Sequence, residues 1–232
     1  MTNKTVLVVT PHPDDETLGC GGTLLLLRSK GYNINWLIAT DVFEDYGFSK
    51  EKVQSRNEEI RLVSDRYNFE KVIRIGIPTS KVDTVSKSEL VDKISCAFNE
   101  IKPNIVFIPF YNDVHTDHRA IAEATISCTK WFRYPFIEKA LYYETISETD
   151  FNIDSTASKF NPNIYVDISN YLDEKVSIMN IYTSEIDEFP FPRSCKVIRS
   201  LAYLRGSQCG SEAAEAFELL RANISYDWNE LL

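Results

Sequence analysis

Two short polar stretches contain all three histidines of the chain, each beside aspartates. Residues 11–22 read PHPDDETLGCGG, and residues 112–118 read NDVHTDH. Crowded carboxylates cost like-charge repulsion and desolvation, and a bound cation would cancel that cost. Zinc is bound by imidazole nitrogens and carboxylate oxygens, and a catalytic zinc has three protein ligands and an open water position. The two stretches therefore predict a metal site.

The residue types in these stretches fit metal-assisted hydrolysis of an amide or ester. A bound metal lowers the pKa of a water to about 7 and polarises a carbonyl oxygen, and a nearby carboxylate can accept the water's proton. The three-residue spacings of His12 to Asp15 and of His115 to His118 leave open which groups bind the metal. The glycines at 19, 21 and 22 are expected to let the backbone approach a substrate.

An alternation of strand and helix patterns must position the two stretches. Strands are predicted at 6–10, 35–40, 71–75, 104–110 and 140–145, and helices at 17–30, 49–67, 86–101 and 119–132. This alternation predicts an α/β, Rossmann-like doubly wound fold, with a mainly parallel sheet and helices on both faces. The strand order 3-2-1-4-5 makes the first and fourth strands neighbours, and ligands bind at that switch point. Each polar stretch follows one of these two strands, so we expect the stretches to meet.

The final third of the chain is less regular. A strand is predicted at 163–168, and helices at 169–186 and 194–205, while 206–223 is ambiguous between a helix and a loop leading to a strand. No linker is apparent, so residues 1–232 are expected to form a single domain. The loops at 42–47, 111–114 and 147–158 follow strands two, four and five and are expected to shape the substrate pocket.

Composition narrows the class of protein. The net charge of -9 argues against a nucleic-acid partner, because nucleic-acid-binding proteins usually present a basic face. No stretch is apolar enough for a membrane helix, and the apolar run before Pro11 is too short for a signal peptide. Five cysteines without a CxxC pair indicate reduced thiols and a cytoplasmic protein. The sequence leaves open whether the chain forms a homo-oligomer.

At these residues the chain resembles the PIG-L / LmbE-like family of zinc-dependent N-deacetylases. The first family motif is matched by residues 12–16, HPDDE, followed by the glycine cluster at 19–23, and the second by residues 115–118, HTDH. Residues 205–217 look like the deacetylases of the bacillithiol and mycothiol pathways, which act on N-acetylglucosamine linked to malate or inositol. The resemblance implies a small-molecule partner, an N-acetylated amino sugar or its glycoside.

The resemblance also implies a role for each motif residue. Zinc, or Fe(II) in the same site, would be held by His12, Asp15 and His118. Asp14 would be the general base, while His115 would stabilise the oxyanion and protonate the amine. Asp117 would orient His115. Arg56 matches a family arginine that helps to hold the substrate.

Three other classes of protein are compatible with parts of the sequence. A nucleotide-binding domain would need glycine in place of Leu24 to complete GxGxxG. A metallophosphoesterase usually holds two metals, for which three histidines and two or three aspartates are few. A non-catalytic sugar-binding module with a structural metal would have a closed site, and the spare groups Asp14 and His115 argue against one.

Overall fold

A computed structural model describes residues 4–152 and 158–223 of the chain. It contains seven strands and six α-helices within those residues. The strands are β1 (Thr5–Thr10), β2 (Asn33–Asp41), β3 (Lys71–Pro78), β4 (Ile105–Pro109), β5 (Lys139–Tyr143), β6 (Ile164–Asp167) and β7 (Ala214–Ala222). The helices are α1 (Asp15–Ser29), α2 (Lys50–Tyr67), α3 (Lys87–Ile101), α4 (Thr116–Ser127), α5 (Leu172–Met179) and α6 (Cys195–Cys209).

All seven strands form one sheet in the order β3-β2-β1-β4-β5-β7-β6. The first five strands pair in parallel, whereas β7 is antiparallel to both of its neighbours. The predicted order 3-2-1-4-5 is therefore confirmed, and β1 pairs with β4 at the switch point. The predicted α/β, Rossmann-like fold is confirmed as well.

Alternation along β1 shows how the sheet is buried. Val6 and Val8 belong to a core with α1, α2, α5 and α6, whereas Leu7 and Val9 belong to a core with α3 and α4. Since successive side chains of a strand point to opposite faces, both faces are covered by helices. No helix among the described residues is long and apolar enough to cross a membrane.

Several element boundaries differ from those predicted. Helix α4 ends at Ser127 rather than at 132, because Cys128 and Thr129 have low helix propensity and the Thr129 hydroxyl donates back to the Ile126 carbonyl. Helix α5 is shorter than 169–186, because Ser169 forms a turn with Asp167 at its start and Asn180 follows its end. The ambiguous segment 206–223 contains the end of α6 and strand β7.

The glycine cluster of α1 faces the protein core, so the expectation that it approaches a substrate is wrong. A Cβ at Gly19 would lie 2.2 Å from Cδ2 of Tyr143, and one at Gly22 would lie 2.7 Å from Ile168. A Cβ at Gly21 would lie 2.5 Å from the Tyr67 hydroxyl. The glycines therefore let α1 pack closely on its neighbours, which fixes the motif residues at its N-terminus.

We expect Gly19→Ala to destabilise the fold. Alanine gains about 0.5–1 kcal/mol of helix propensity, but overpacking a buried site costs about 1–3 kcal/mol. The net result should be a lower free energy of unfolding in urea. Lys30→Ala, at the exposed end of the same helix, should change it by less than about 0.5 kcal/mol. A Gly19→Ala variant as stable as the parent would contradict this account of the glycine cluster.

Candidate active site

The two polar stretches meet at the carboxyl ends of β1 and β4. The ring centroids of His12 and His115 are 4.6 Å apart, and that of His118 lies 5.3 Å from His12 and 5.4 Å from His115. His12 and Asp14 belong to the turn after β1, Asp15 begins α1, and the other two histidines lie at the start of α4. The structure thus brings together the residues that the sequence singled out.

His12, Asp15 and His118 have donor atoms within 4.8 Å of one another. Oδ2 of Asp15 lies 3.6 Å from Nδ1 of His12 and 3.5 Å from Nε2 of His118. Nε2 of His118 is buried and has no hydrogen-bond partner in the described structure. A buried polar atom without a partner is costly, and a divalent cation bound between these atoms would satisfy it.

The outer nitrogens of both histidines contact carboxylates. Nε2 of His12 lies 3.1 Å from Oδ2 of Asp117, and Nδ1 of His118 lies 2.8 Å from Oδ2 of Asp113. Asp113 in turn accepts a hydrogen bond from the Thr149 hydroxyl. Metal-binding histidines usually donate their other ring N–H to such a carboxylate, which fixes the tautomer and the ring orientation. The donor set therefore fits a divalent metal.

A second set of donor atoms, from His12, His115 and Asp117, also lies within 4.8 Å. Its members are already occupied, because Oδ2 of Asp117 accepts a hydrogen bond from the Ser80 backbone N–H at 2.8 Å. Nδ1 of His115 accepts one from the Asp117 backbone N–H at 3.1 Å. We therefore favour the set that contains His118.

The carboxylate of Asp117 contacts His12 and not His115, so the expectation that it orients His115 is wrong. It is held in this direction by the backbone N–H groups of Ser80 and Val82, at 2.8 and 3.4 Å. The hydrogen bond between Asp117 and His115 comes from the backbone N–H of Asp117, which donates to Nδ1 of His115. Asp117 is thus placed to orient His12 instead.

Asp14 lies beside the donor set and pairs with an arginine. Its backbone has φ 136°, and its N–H donates to Oε2 of Glu16 at 3.1 Å. Its Oδ2 accepts a hydrogen bond from Nη1 of Arg193 at 2.8 Å. Burial and the neighbouring Asp15 raise the pKa of Asp14, which Arg193 partly opposes. Asp14 is thus a carboxylate that is held in place without belonging to the donor set.

His115 caps the N-terminus of α4 through Nδ1. A neutral imidazole with Nδ1 as acceptor carries its proton on Nε2. Burial, together with His12 and His118, lowers the pKa of His115 to about 4. The ring can therefore act as a neutral hydrogen-bond donor in the cavity.

Arg56 is buried and lines the same cavity. Its Nη1 donates to the Pro13 carbonyl at 2.9 Å, and its Nη2 bonds to Glu185. It therefore supports the turn that carries His12 and Asp14, in addition to facing the cavity.

Sequence reasoning missed three functional groups and misplaced one loop. Asp113 lies within the second polar stretch but received no role, while Glu185 and Arg193 are single charged residues in loops, a pattern that carries no signal of function. The loops after β2 and β5 do line the cavity, through Val42 and Glu148. None of residues 111–114 lines it among the described residues. Residues 153–157 of the predicted loop 147–158 lie outside the described residues.

Curated relatives and solved structures resemble this chain over most of its length. It is 21% identical over 94% of its length to a diacetylchitobiose deacetylase of Thermococcus kodakarensis, covering 83% of that protein. It is 24% identical over 78% of its length to a probable N-acetyl-alpha-D-glucosaminyl L-malate deacetylase 2 of Bacillus cereus, covering 84% of that protein. The N,N'-diacetylchitobiose deacetylase structure from Pyrococcus horikoshii superposes with a TM-score of 0.71 at 20% identity, over all of this chain and 90% of that one.

The family model for PIG-L, GlcNAc-PI de-N-acetylase, matches residues 7–129. That range runs from β1 through α4 and contains both polar stretches, the metal-donor set and Asp14, His115 and Arg56. Since more than half of the chain matches, including both polar stretches, the chain belongs to the PIG-L family.

Proposed function

We propose that this chain is a metal-dependent hydrolase that removes the N-acetyl group from a small amino sugar or its glycoside. The observation that carries the proposal is the convergence of His12, Asp15 and His118 on one point, with Asp14 and His115 lining the same cavity outside this donor set. A structural metal site is closed, whereas a catalytic one has such groups nearby. The relatives named above, which are deacetylases of N-acetylated sugars, support the substrate class.

We assign the metal to His12, Asp15 and His118, with zinc as the metal and Fe(II) as the second candidate. When bound, the metal supplies Lewis-acid polarisation of the amide carbonyl and lowers the pKa of water. Asp117 and Asp113 hold the rings of His12 and His118 in position through their outer nitrogens.

Asp14 is assigned the role of general base. Its carboxylate accepts a proton from the attacking water, and Arg193 fixes its orientation through the 2.8 Å contact. In the reaction, water adds to the amide carbon and the C–N bond breaks, which releases acetate and the free amine. A base adjacent to the donor set lies where that water must be deprotonated.

His115 is assigned the stabilisation of the oxyanion. Its Nε2–H is free to donate because Nδ1 accepts the Asp117 backbone N–H. Its low pKa favours the neutral ring, so we assign protonation of the leaving amine to Asp14, which has taken up the proton of water. This differs from the role that the family resemblance implied for His115.

The proposal also includes the kind of substrate, the role of Arg56, the location of the protein and its domain organisation. The substrate is a small molecule, and Arg56 contributes to the wall that holds it. The cysteine usage of the sequence supports a cytoplasmic location. Residues 1–232 are taken as a single domain.

The metal assignment predicts about one divalent ion per purified chain. A chelator should abolish the release of free amine from N-acetylglucosamine and its glycosides, and Zn²⁺ or Fe²⁺ should restore it. Elemental analysis and an amine assay on a panel of N-acylated amino sugars measure both. Two tightly bound ions per chain, with turnover of phosphate esters and of no N-acyl sugar, would instead support a metallophosphoesterase.

A further inference from the structure

Three cationic side chains that line the cavity converge on one carboxylate of the chain itself. Nη1 of Arg193 lies 3.1 Å from Oε2 of Glu185, and Nζ of Lys52 lies 3.7 Å from Oε1. Nη2 of Arg56 hydrogen-bonds to the same Oε1. The Ser184 hydroxyl donates to this oxygen as well, at 2.9 Å. Glu185 therefore occupies the place where these cations would otherwise bind an anion.

The fold holds Glu185 in this position. Its backbone N–H donates to the Tyr182 carbonyl at 2.9 Å in the turn after α5. The Tyr182 ring is fully buried, and its hydroxyl donates to Oε1 of Glu16 at 2.8 Å. Burial would raise the pKa of Glu185, but Arg56, Ser184 and Arg193 together lower it below its usual range. Glu185 is therefore an ionised group on an anchored turn.

The other charged groups in the cavity disfavour the binding of a second anion. The cavity is lined by five carboxylates, those of Asp14, Asp15, Asp41, Glu148 and Glu185. The cations that line it are Lys52, Arg56 and Arg193, the three that converge on Glu185. Arg193 also binds Asp14 at 2.8 Å and lies 3.8 Å from Glu148. Each of the three cations already has a carboxylate partner, so a negatively charged group in the cavity would have to compete with Glu185 for them.

The positive charge of the proposed metal acts on the acetamide end of a substrate and not on the part of the substrate that lies away from the metal. The amide carbonyl has to lie against the donor set of His12, Asp15 and His118 for hydrolysis to occur. The group attached to the sugar lies away from that point, and Glu185 is a carboxylate of the cavity that lies outside the donor set. Juxtaposed like charges suppress binding of the wrong partner.

We infer that Glu185 is a specificity-determining residue that selects N-acetylated amino sugars whose remaining part carries no negative charge. The inference rests on the proposed N-deacetylase function. It distinguishes this chain from a relative whose named substrate is a malate glycoside, which carries carboxylates. An uncharged oligosaccharide or alkyl glycoside fits the cavity's charges, because its hydroxyls can bond to Glu148 and Glu185.

A matched pair of substrates tests the inference, namely the methyl and the carboxymethyl glycosides of N-acetylglucosamine. The two differ by one carboxylate. The metal-loaded protein should release free amine from the methyl glycoside with a kcat/KM at least about tenfold higher. Glu185→Gln removes the internal anion and keeps the side-chain volume, and should shift the kcat/KM ratio by about tenfold toward the carboxymethyl glycoside. Glu188→Gln, an exposed residue three positions on, should leave the ratio unchanged.

Each outcome separates the inference from the proposed function. If the parent protein hydrolyses neither glycoside nor N-acetylglucosamine, the proposed function itself is wrong. If it hydrolyses both glycosides equally well, the function stands and the charge selectivity is wrong. An unchanged ratio in a folded, metal-loaded Glu185→Gln variant would overturn the assignment to Glu185. The ratio of the parent protein tests the selectivity even if that variant does not fold.

Discussion

Asp15→Asn is expected to lose bound metal and deacetylase activity together. Oδ2 of Asp15 is the anionic donor of the proposed set, 3.6 and 3.5 Å from the nitrogens of His12 and His118. An amide oxygen is neutral and a weaker ligand. Because even outer partners of metal ligands contribute 10–100-fold to affinity, we expect a loss of at least about a hundredfold. Elemental analysis after dialysis and an amine-release assay measure the two effects.

Asp41→Asn is the matched control for this experiment. Asp41 lines the same cavity, but its carboxylate pairs with Arg74 at 2.8 Å and does not belong to the donor set. The Asp41→Asn protein should keep its metal. Asparagine at position 15 can still accept the hydrogen bond that the carboxylate receives from the His12 backbone N–H, so the turn should persist. A fully metallated Asp15→Asn protein would remove Asp15 from the donor set.

The first two thirds of the fold could be predicted because local signals there agree with the tertiary structure. The helices predicted to start at residues 49 and 86 each begin with a serine, Ser49 or Ser86, whose hydroxyl accepts a backbone N–H from the first turn. The central strands β1 and β4 are almost continuous apolar runs, which is typical of strands buried on both faces. Both polar stretches could therefore be placed at the switch point before any distance was known.

The segment that became β7 could not be predicted, because its contacts are remote in sequence. The run AEAFELLRA contains good helix formers as well as alternating apolar residues. Its state is decided by pairing with β5 and β6. Glu215 also accepts the backbone N–H groups of Gly22 and Thr23, 192 or more residues away, and binds Nζ of Lys175 at 2.7 Å. No local pattern encodes such contacts.

In the site, residue types could be predicted but side-chain directions could not. Asp117 lies two residues from His115, yet the backbone of Ser80 and Val82 turns its carboxylate toward His12. Arg193 reaches Asp14 from a turn 179 residues later in the chain. Spacing along one stretch therefore indicated the chemistry, whereas the partners of each group depended on loops from other elements.

Asp14→Asn is expected to keep the metal and lose most of the activity. The substitution is nearly isosteric, and the amide oxygen can still accept the hydrogen bond from Arg193. It removes the group that accepts the proton of water. Loss of a general base typically lowers the rate by about 10²–10⁴-fold, which corresponds to about 3–5 kcal/mol of activation free energy. The decrease should appear in kcat, with little change in KM, because binding of the N-acetyl group does not require the base.

The comparison with Asp15→Asn makes this result specific, because the same change is made at two adjacent residues. Only Asp15→Asn should release the metal, since Asp15 faces the two histidines whereas Asp14 faces Arg193. Metal content, KM and kcat measured on both variants therefore separate a ligand from a base. Loss of metal from Asp14→Asn would place Asp14 in the coordination sphere. Full activity of a metallated Asp14→Asn protein would exclude it as the base and leave Glu148, the other carboxylate near His118 in the cavity, as the next candidate.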